Sequence, residues 1–402
     1  MKDKNAIAPE IRFEGFTDAW TQRKLGDYFI IISGYAFKME DYTKTGIPIV
    51  NGESIQHGVI ASNNWSYLPV EFQRKYSAFL LKTDDIVLGL NRPITNGNLK
   101  IAKIPQELND SLLYQRAGKI DYVQEIDKSF SYFVLETEVK KFVLKEAVGS
   151  DQPFISTTKF KDWDFIIPKK DEQTAIGTFF RTLDNAIHSH QQKLNHLREL
   201  KKGYLQVMFP QEGEAVPKLR FEGFDGDWHP VKFATLVSRN SKTSDDEAMP
   251  RVEFEDIISG FGRLNKDIYA KISGKKGIIF EVGDILFGKL RPYLKNWLLA
   301  DFTGIAVGDF WVLHPNKTDS KFIYALIQED TFQTAANLST GTKMPRSDWN
   351  VVSETEFVVP FIEEQATIGT FFCKLDNAIV MQQTKIDQLQ LLKAAYLQKM
   401  FV

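Results

Sequence analysis

The sequence predicts an α/β (α+β) protein: two mixed α/β domains and two long coiled-coil helices, set out as one internal repeat. Three observations carry this. Ile11-Arg12-Phe13-Glu14-Gly15-Phe16, followed by Trp20, returns as Leu219-Arg220-Phe221-Glu222-Gly223-Phe224, followed by Trp228. Residues 172–209 return at 364–401 with 22 of 38 positions identical, which shared composition does not produce. These two stretches nearly lose Gly and Pro and carry apolar residues at three-four spacing, whereas the segments between them are short apolar runs broken by Gly, Pro, Asn and Asp.

The 402 residues divide into 1–168 (first domain), 169–210 (first helical region), 211–360 (second domain) and 361–402 (second helical region). With 43% hydrophobic and 25% charged residues, the chain has material for two cores, and gross disorder is excluded. Its one cysteine, Cys373, excludes an internal disulfide framework and a cysteine-rich zinc site. Met1-Lys2-Asp3-Lys4-Asn5 has no apolar run behind it, so no secretory signal is expected. Apolar runs such as Phe29-Ile30-Ile31-Ile32 are far too short to span a membrane. A soluble cytoplasmic protein is expected. The net charge of −2 does not advertise nucleic-acid binding, which would have to rest on local clusters or on a partner.

The central segments, 25–168 and 233–360, read as strands and turns, with Lys128–Lys141 and Ser320–Ala336 as single helices packed on them. They match in patches. Pro48, Val50 and Ile55 align with Pro250, Val252 and Ile257; Asp85 to Gly89, then Arg92-Pro93, align with Asp284 to Gly288, then Arg291-Pro292. Asp127, Phe130 and Tyr132 align with Asp319, Phe322 and Tyr324, and Gly149 and Pro153 with Gly341 and Pro345. One scaffold recurs with different surfaces mounted on it.

In the helical regions the seam runs Ile176, Phe180, Leu183, Ile187, Leu194, Leu197, Tyr204, Met208, and again Ile368, Phe372, Leu375, Ile379, Ile386, Leu389, Tyr396, Met400. That is an a/d heptad pattern. His190 with Gln382, and Lys201 with Lys393, are polar seam positions of the kind that set register at a cost in stability. Pro168 and Pro360 precede the helices, and Glu172, Glu363 and Glu364 suit their positive ends. Asp184-Asn185 and Asp376-Asn377 leave open whether each stretch is one helix or two. Buried amphipathic helices of a single globular domain are the alternative, but the seam persists for about five heptads. About 38 residues make a rod of roughly 57 Å if continuous.

Catalytic signatures are absent. No phosphate-binding loop occurs, since Ser273-Gly274-Lys275-Lys276-Gly277 is only a turn. Neither a dinucleotide fingerprint nor an Asn-Pro-Pro-aromatic methyl-transfer motif is present. His188, His190 and His196 do not share one helical face, so no metal site is expected there. Asp84-Asp85 and Asp245-Asp246-Glu247 read as turns and solvated charge. No catalytic residue and no metal ligand is assigned, and the chain reads as a binding scaffold.

The order Phe-Glu-Gly-Phe…Trp, Gly-Asp-Ile-Leu-Phe-Gly, Gly-x-x-x-Pro and Pro-x-x-Glu-Glu-Gln…Leu-Asp…Leu-Gln-x-Met-Phe resembles the DNA specificity subunit of type I restriction–modification systems. The resemblance covers essentially the whole chain, in both halves. Departures are Asp84-Asp85 where the second half has Gly283-Asp284, and Gln152-Pro153 where it has Met344-Pro345. The resemblance implies two target recognition domains, each reading half of a bipartite, asymmetric site on double-stranded DNA. It implies that the two helices form an antiparallel coiled coil that separates the domains, spaces the half-sites and docks two methyltransferase subunits, in a pseudo-two-fold arrangement. Restriction/translocase subunits complete the complex. S-adenosylmethionine, ATP and Mg are used by the partner subunits, and this chain binds no cofactor. A rod of roughly 57 Å corresponds to about 17 base pairs.

Base readers are expected where polar residues follow a strand end. The first loop offers Arg92, Asn96, Asn98 and Lys100, and its counterpart offers Lys289, Arg291, Tyr293, Lys295 and Asn296. Arg suits guanine and Asn suits adenine in the major groove. Gln152, Thr157, Thr158 and Lys159, and Thr342, Lys343 and Arg346, are the next candidates. Trp20 and Trp228 are expected as packing anchors. The rival classes are a coiled-coil adaptor with no sequence-selective DNA binding, and a self-sufficient nuclease, for which no persuasive carboxylate–lysine set is found.

Overall fold

The computed structural model describes residues 8–146, 153–211, 213–269, 274–338 and 343–402. Two compact units form: Met1–Ile187 with Gln388–Val402, and His188–Asp387. In the linear order 361–402 is one region; in the packing its last turns belong to the first unit.

In the first unit, β1 (Phe29–Ser33), β2 (Ile86–Gly89), β3 (Ile101–Lys103) and β4 (Ala117–Tyr122) make an antiparallel sheet ordered β1-β4-β2-β3. The second unit repeats it with β5 (Val237–Asn240), β6 (Ile285–Gly288), β7 (Trp297–Leu299) and β8 (Phe310–Pro315), ordered β5-β8-β6-β7. Strand β2 is buried throughout, because alternate side chains feed two cores: Ile86 and Leu88 enter the larger cluster, Val87 the smaller. In β6, Ile285 and Phe287 likewise enter one cluster and Leu286 the other. The preceding turn is closed by an aspartate: Asp85 accepts from the Lys82 N–H and Asp284 from the Glu281 N–H, both at 2.8 Å. The residue before it has positive φ, 69° at Asp84 and 90° at Gly283, which explains why Gly and Asp alternate there.

Helix α1 (Lys128–Glu146) is single, as expected, and runs to Glu146. Its counterpart is not one helix: Ser320–Ala336 divides into α3 (Ser320–Leu326) and α4 (Asp330–Asn337). The break is chemical. Glu329 turns its buried carboxylate onto the N–H groups of Thr331 and Phe332 and starts a new helix.

Helices α2 (Lys170–Val207) and α5 (Ile362–Met400) are continuous through Asp184-Asn185 and Asp376-Asn377. None of the sixteen seam residues is exposed. Their pairing is antiparallel in each unit. In the second, Tyr204 packs edge-on to Phe371 at 5.1 Å and Lys201 meets Asp376, while His190 meets Gln382. In the first, Tyr396 packs on Phe179 at 5.1 Å and Lys393 meets Asp184. Helix ends enter the cores: Phe401 lies 5.7 Å from Phe130, and Phe209 lies 5.6 Å from Phe322.

The repeated motif residues build one joint, twice. Arg12 donates to both oxygens of Glu172, and Trp20 Nε1 adds a bond at 3.1 Å. Arg220, Trp228 and Glu364 repeat this. Both tryptophans are 3% exposed, so they are packing anchors. Gln173 donates to Pro168 O and accepts from the Asp127 N–H; Gln365 does the same with Pro360 and Asp319. Asp127 and Asp319 in turn cap α1 and α3 through the N–H groups of Phe130 and Phe322. Gly177 and Gly369 lie against these caps, where a Cβ would come within 2.5 Å of Phe130 N and 2.4 Å of Phe322 N.

Candidate nucleic-acid interface

The two candidate segments of each half, distant in sequence, are joined at the end of the central strand. After β2 the Leu90 N–H reaches Arg116 O at 2.8 Å, the Arg92 N–H reaches Pro153 O at 3.0 Å, and the Ile155 N–H returns to Leu90 O at 2.9 Å. After β6 the Lys289 N–H reaches Asp309 O at 2.9 Å, the Arg291 N–H reaches Pro345 O at 2.7 Å, and the Ser347 N–H returns to Lys289 O at 2.8 Å. Each half thus holds a loop and a downstream segment as one rigid pair, a platform from which side chains project.

Arg92 and Arg291 occupy the same left-handed conformation, φ 46° and 49°, each before a buried proline. Backbone in this region is strained for a non-glycine residue and is held there by its surroundings. Beyond Arg92 the halves differ. Ile94–Thr95 and Asn98–Leu99 pair as a hairpin whose turn, Asn96-Gly97, has φ 50° and 76°, the two-residue type I′ pattern. Arg92, Asn96 and Asn98 are exposed. In the second half a 3₁₀ turn, Pro292–Leu294, replaces the hairpin and leaves Tyr293 54% exposed beside exposed Lys295.

Other candidates are placed less openly. Lys100 is half-buried and bonds Gly52 O at 3.3 Å. Lys159 is exposed and bound to Glu146, and Thr157 and Thr158 form the first turn of the short helix Thr157–Lys161, capped by Ser156. Asn296 is buried, 8% exposed, next to β7, which pairs with β6, and so does not face solvent. Lys289 lies 3.7 Å and Arg346 3.0 Å from Asp309, while Lys343 is exposed. Buried Arg291 Nε has no partner among the described residues. Gln152 and Thr342, with Gly149 and Gly341, fall outside the described residues.

Sequence reasoning missed Arg116. It is exposed at φ 71°, directly behind Leu90, and nothing in its neighbours' residue types announces that conformation. It also missed the partners of the polar seam residues. Lys201 bonds Asp376 and Gln328, each at 2.6 Å, and Lys393 lies 2.8 Å from Asp184. Burial pushes the Asp376 carboxyl up against the opposing pull of Lys201, and burial with Asp376 nearby raises the Cys373 thiol.

Among the described residues, no group of three or more His, Cys, Asp or Glu is placed to hold a metal, and no helix is long and apolar enough to cross a membrane.

Two sheet domains with paired projecting loops, each built on shares of two common helices, define a repeated recognition scaffold. Residues 17–199 match the Type I restriction modification DNA specificity domain. The chain is 31% identical over 191 residues to the type I restriction enzyme MjaVIII specificity subunit of Methanocaldococcus jannaschii, covering 47% of this chain and 45% of that one. It is 24% identical over 304 residues to the EcoDI specificity subunit of Escherichia coli, covering 68% and 67%. The chain therefore spans about half the length of the M. jannaschii relative. The crystal structure of the type I restriction–modification S subunit from M. genitalium shares the fold, with a TM-score of 0.64 at 17% identity over 98% of this chain and 99% of that one. A chain from a structure of type I system assembly and conformational transition gives 0.51 at 13% identity, over 94% and 97%. Residues 17–199 thus match a type I restriction–modification DNA specificity domain, and the chain as a whole is similar to specificity subunits of that class.

Proposed function

We propose that the chain is the DNA-reading subunit of a type I restriction–modification complex. It recognises a bipartite, asymmetric site on double-stranded DNA, one half-site per recognition domain, and performs no chemistry itself. Its helices dock two methyltransferase subunits, and restriction/translocase subunits join the complex. S-adenosylmethionine, ATP and Mg belong to those partners, and the complex works in the cytoplasm. The observation that carries this reading is the loop pair pinned to the end of the central strand in both halves, with an arginine at the same strained position. One backbone frame mounting two different loop surfaces is what an asymmetric two-part site requires.

The test is exchange of residues 25–165 for the same segment of a relative, in cells supplying the methyltransferase subunits. Methylome sequencing should show one half-site changed and the other intact. If both halves change together, the modular reading is wrong; if the parent complex methylates no bipartite motif, an adaptor without sequence selectivity is the better account.

A further inference from the structure

We propose that Arg116 reads a guanine in the first half-site, through the major-groove edge of the base. The inference rests on the DNA-reading function above and names a residue and a base within it.

Arg116 immediately precedes β4, and its carbonyl meets Leu90, where β2 gives way to its loop. The Arg116 carbonyl accepts the Leu90 N–H at 2.8 Å, and the N–H groups of its neighbours Gln115 and Ala117 donate to Tyr35 O at 3.0 Å and Tyr114 O at 3.1 Å, so its backbone is held on both sides. A Cβ on neighbouring Gly52 would come within 2.7 Å of Arg116 O, so this backbone is also closely covered from behind. The side chain nevertheless faces solvent at φ 71°, and no described residue forms an ion pair or hydrogen bond with its guanidinium. An arginine held in a strained conformation with a free guanidinium is a donor fork presented outward.

The second half shows what this position does. Asp309 is the structural equivalent of Arg116: each precedes the residue paired with the last glycine of the central strand (Ala117 with Gly89, Phe310 with Gly288), and each carbonyl receives the next loop N–H. Charge is inverted there, and Asp309 is turned onto Lys289 and Arg346. Arg92 and Arg291, by contrast, are the same residue at nearly the same backbone φ in both halves. DNA offers both domains the same phosphate backbone but different bases. A group kept in both halves suits the phosphate, and a group inverted between them suits the base. A free arginine fork pairs best with guanine O6 and N7.

Positive φ supplies a clean variant. Arg116→Gly removes the guanidinium at a position whose backbone glycine adopts without strain, so the protein should melt no lower than the parent. In cells carrying the methyltransferase subunits, methylome sequencing of Arg116→Gly should show the parent motif relaxed at one G·C pair. That pair should lie in the half-site assigned to the first domain by the segment exchange, with the second half-site unchanged. Arg92→Gly should instead lower methylation evenly across sites with the motif intact. An unchanged motif in Arg116→Gly, even loss without relaxation, or relaxation only at an A·T pair would each overturn the assignment. Those results leave the DNA-reading function standing; a parent complex with no bipartite motif would defeat that function itself.

Discussion

Arg12 and Glu172 meet through two parallel hydrogen bonds, Nε to Oε1 at 2.8 Å and Nη2 to Oε2 at 2.7 Å, and Arg220 and Glu364 repeat the pair at 2.9 and 2.7 Å. The glutamate side chains are 3% and 4% exposed, so each carboxylate depends on its arginine and tryptophan for the hydrogen bonds that water would supply. Glu172→Ala leaves Arg12 and Trp20 Nε1 without their acceptor and should lower stability by roughly 3 kcal/mol. Glu364→Ala should act similarly in the second unit. Denaturant unfolding decides this, and a loss below about 1 kcal/mol would mean the joint is held by packing alone.

Two glycines in the same helix should respond oppositely to one substitution. At Gly203 nothing lies within 4 Å of a new Cβ, so Gly203→Ala should gain about 1 kcal/mol from helix propensity. At Gly177 the new atom meets the backbone of Phe130 and the carboxylate of Asp127, so Gly177→Ala should lose roughly 1–3 kcal/mol despite the same propensity gain. Melting curves of the two variants would test this; equal shifts would show that the cap of α1 moves aside freely.

The joint and the glycine explain why so much of the fold was legible. The residues that recur between the halves are those that touch one another across long sequence separations: Arg12 with Glu172, Gln173 with Asp127, and Gly177 with the cap of Asp127. The seam was legible because three-four spacing follows directly from helix geometry. What was hidden depended on contacts without a local signature. Asp184 and Asp376 look like helix interruptions, yet they are the acceptors of the seam lysines Lys393 and Lys201. Glu329 looks like one more helical residue, and its burial makes it a cap. The candidate loops follow the strand ends, but which side chains stand free there is set by the second segment folded over them. Lys100, Asn296 and Arg116 therefore could not be sorted in advance.

Cys373 offers a pH-dependent readout of the seam. Burial first, and then Asp376, raise its thiol above the ordinary range, so less thiolate is present at a given pH. Alkylation by iodoacetamide should be slower in the folded chain than in urea at pH 8. The folded rate should still be climbing at a pH where the unfolded rate has levelled. A folded rate equal to the unfolded one would place the thiol in open solvent.

The last prediction concerns spacing. Within the second unit, two polar contacts fix the register of α2 on α5: His190 Nδ1 donates to Gln382 Oε1 at 2.7 Å, and Lys201 bonds Asp376 at 2.6 Å. Lengthening one helix alone would break one of them. Seven residues placed after Leu197 and seven after Ile379 lie between the two contacts on both helices, so both contacts and the apolar phase survive. The added heptads lengthen the paired helices by about 10 Å, equivalent to about three base pairs. If the helices set the gap, methylome sequencing should return the same two half-sites with the interval between them increased by about that amount. Two residues inserted at each point instead turn the downstream seam by about 200° and should abolish folding or DNA binding without creating a new interval. A heptad variant that folds, methylates and keeps the parent interval would rule out the helices as the ruler.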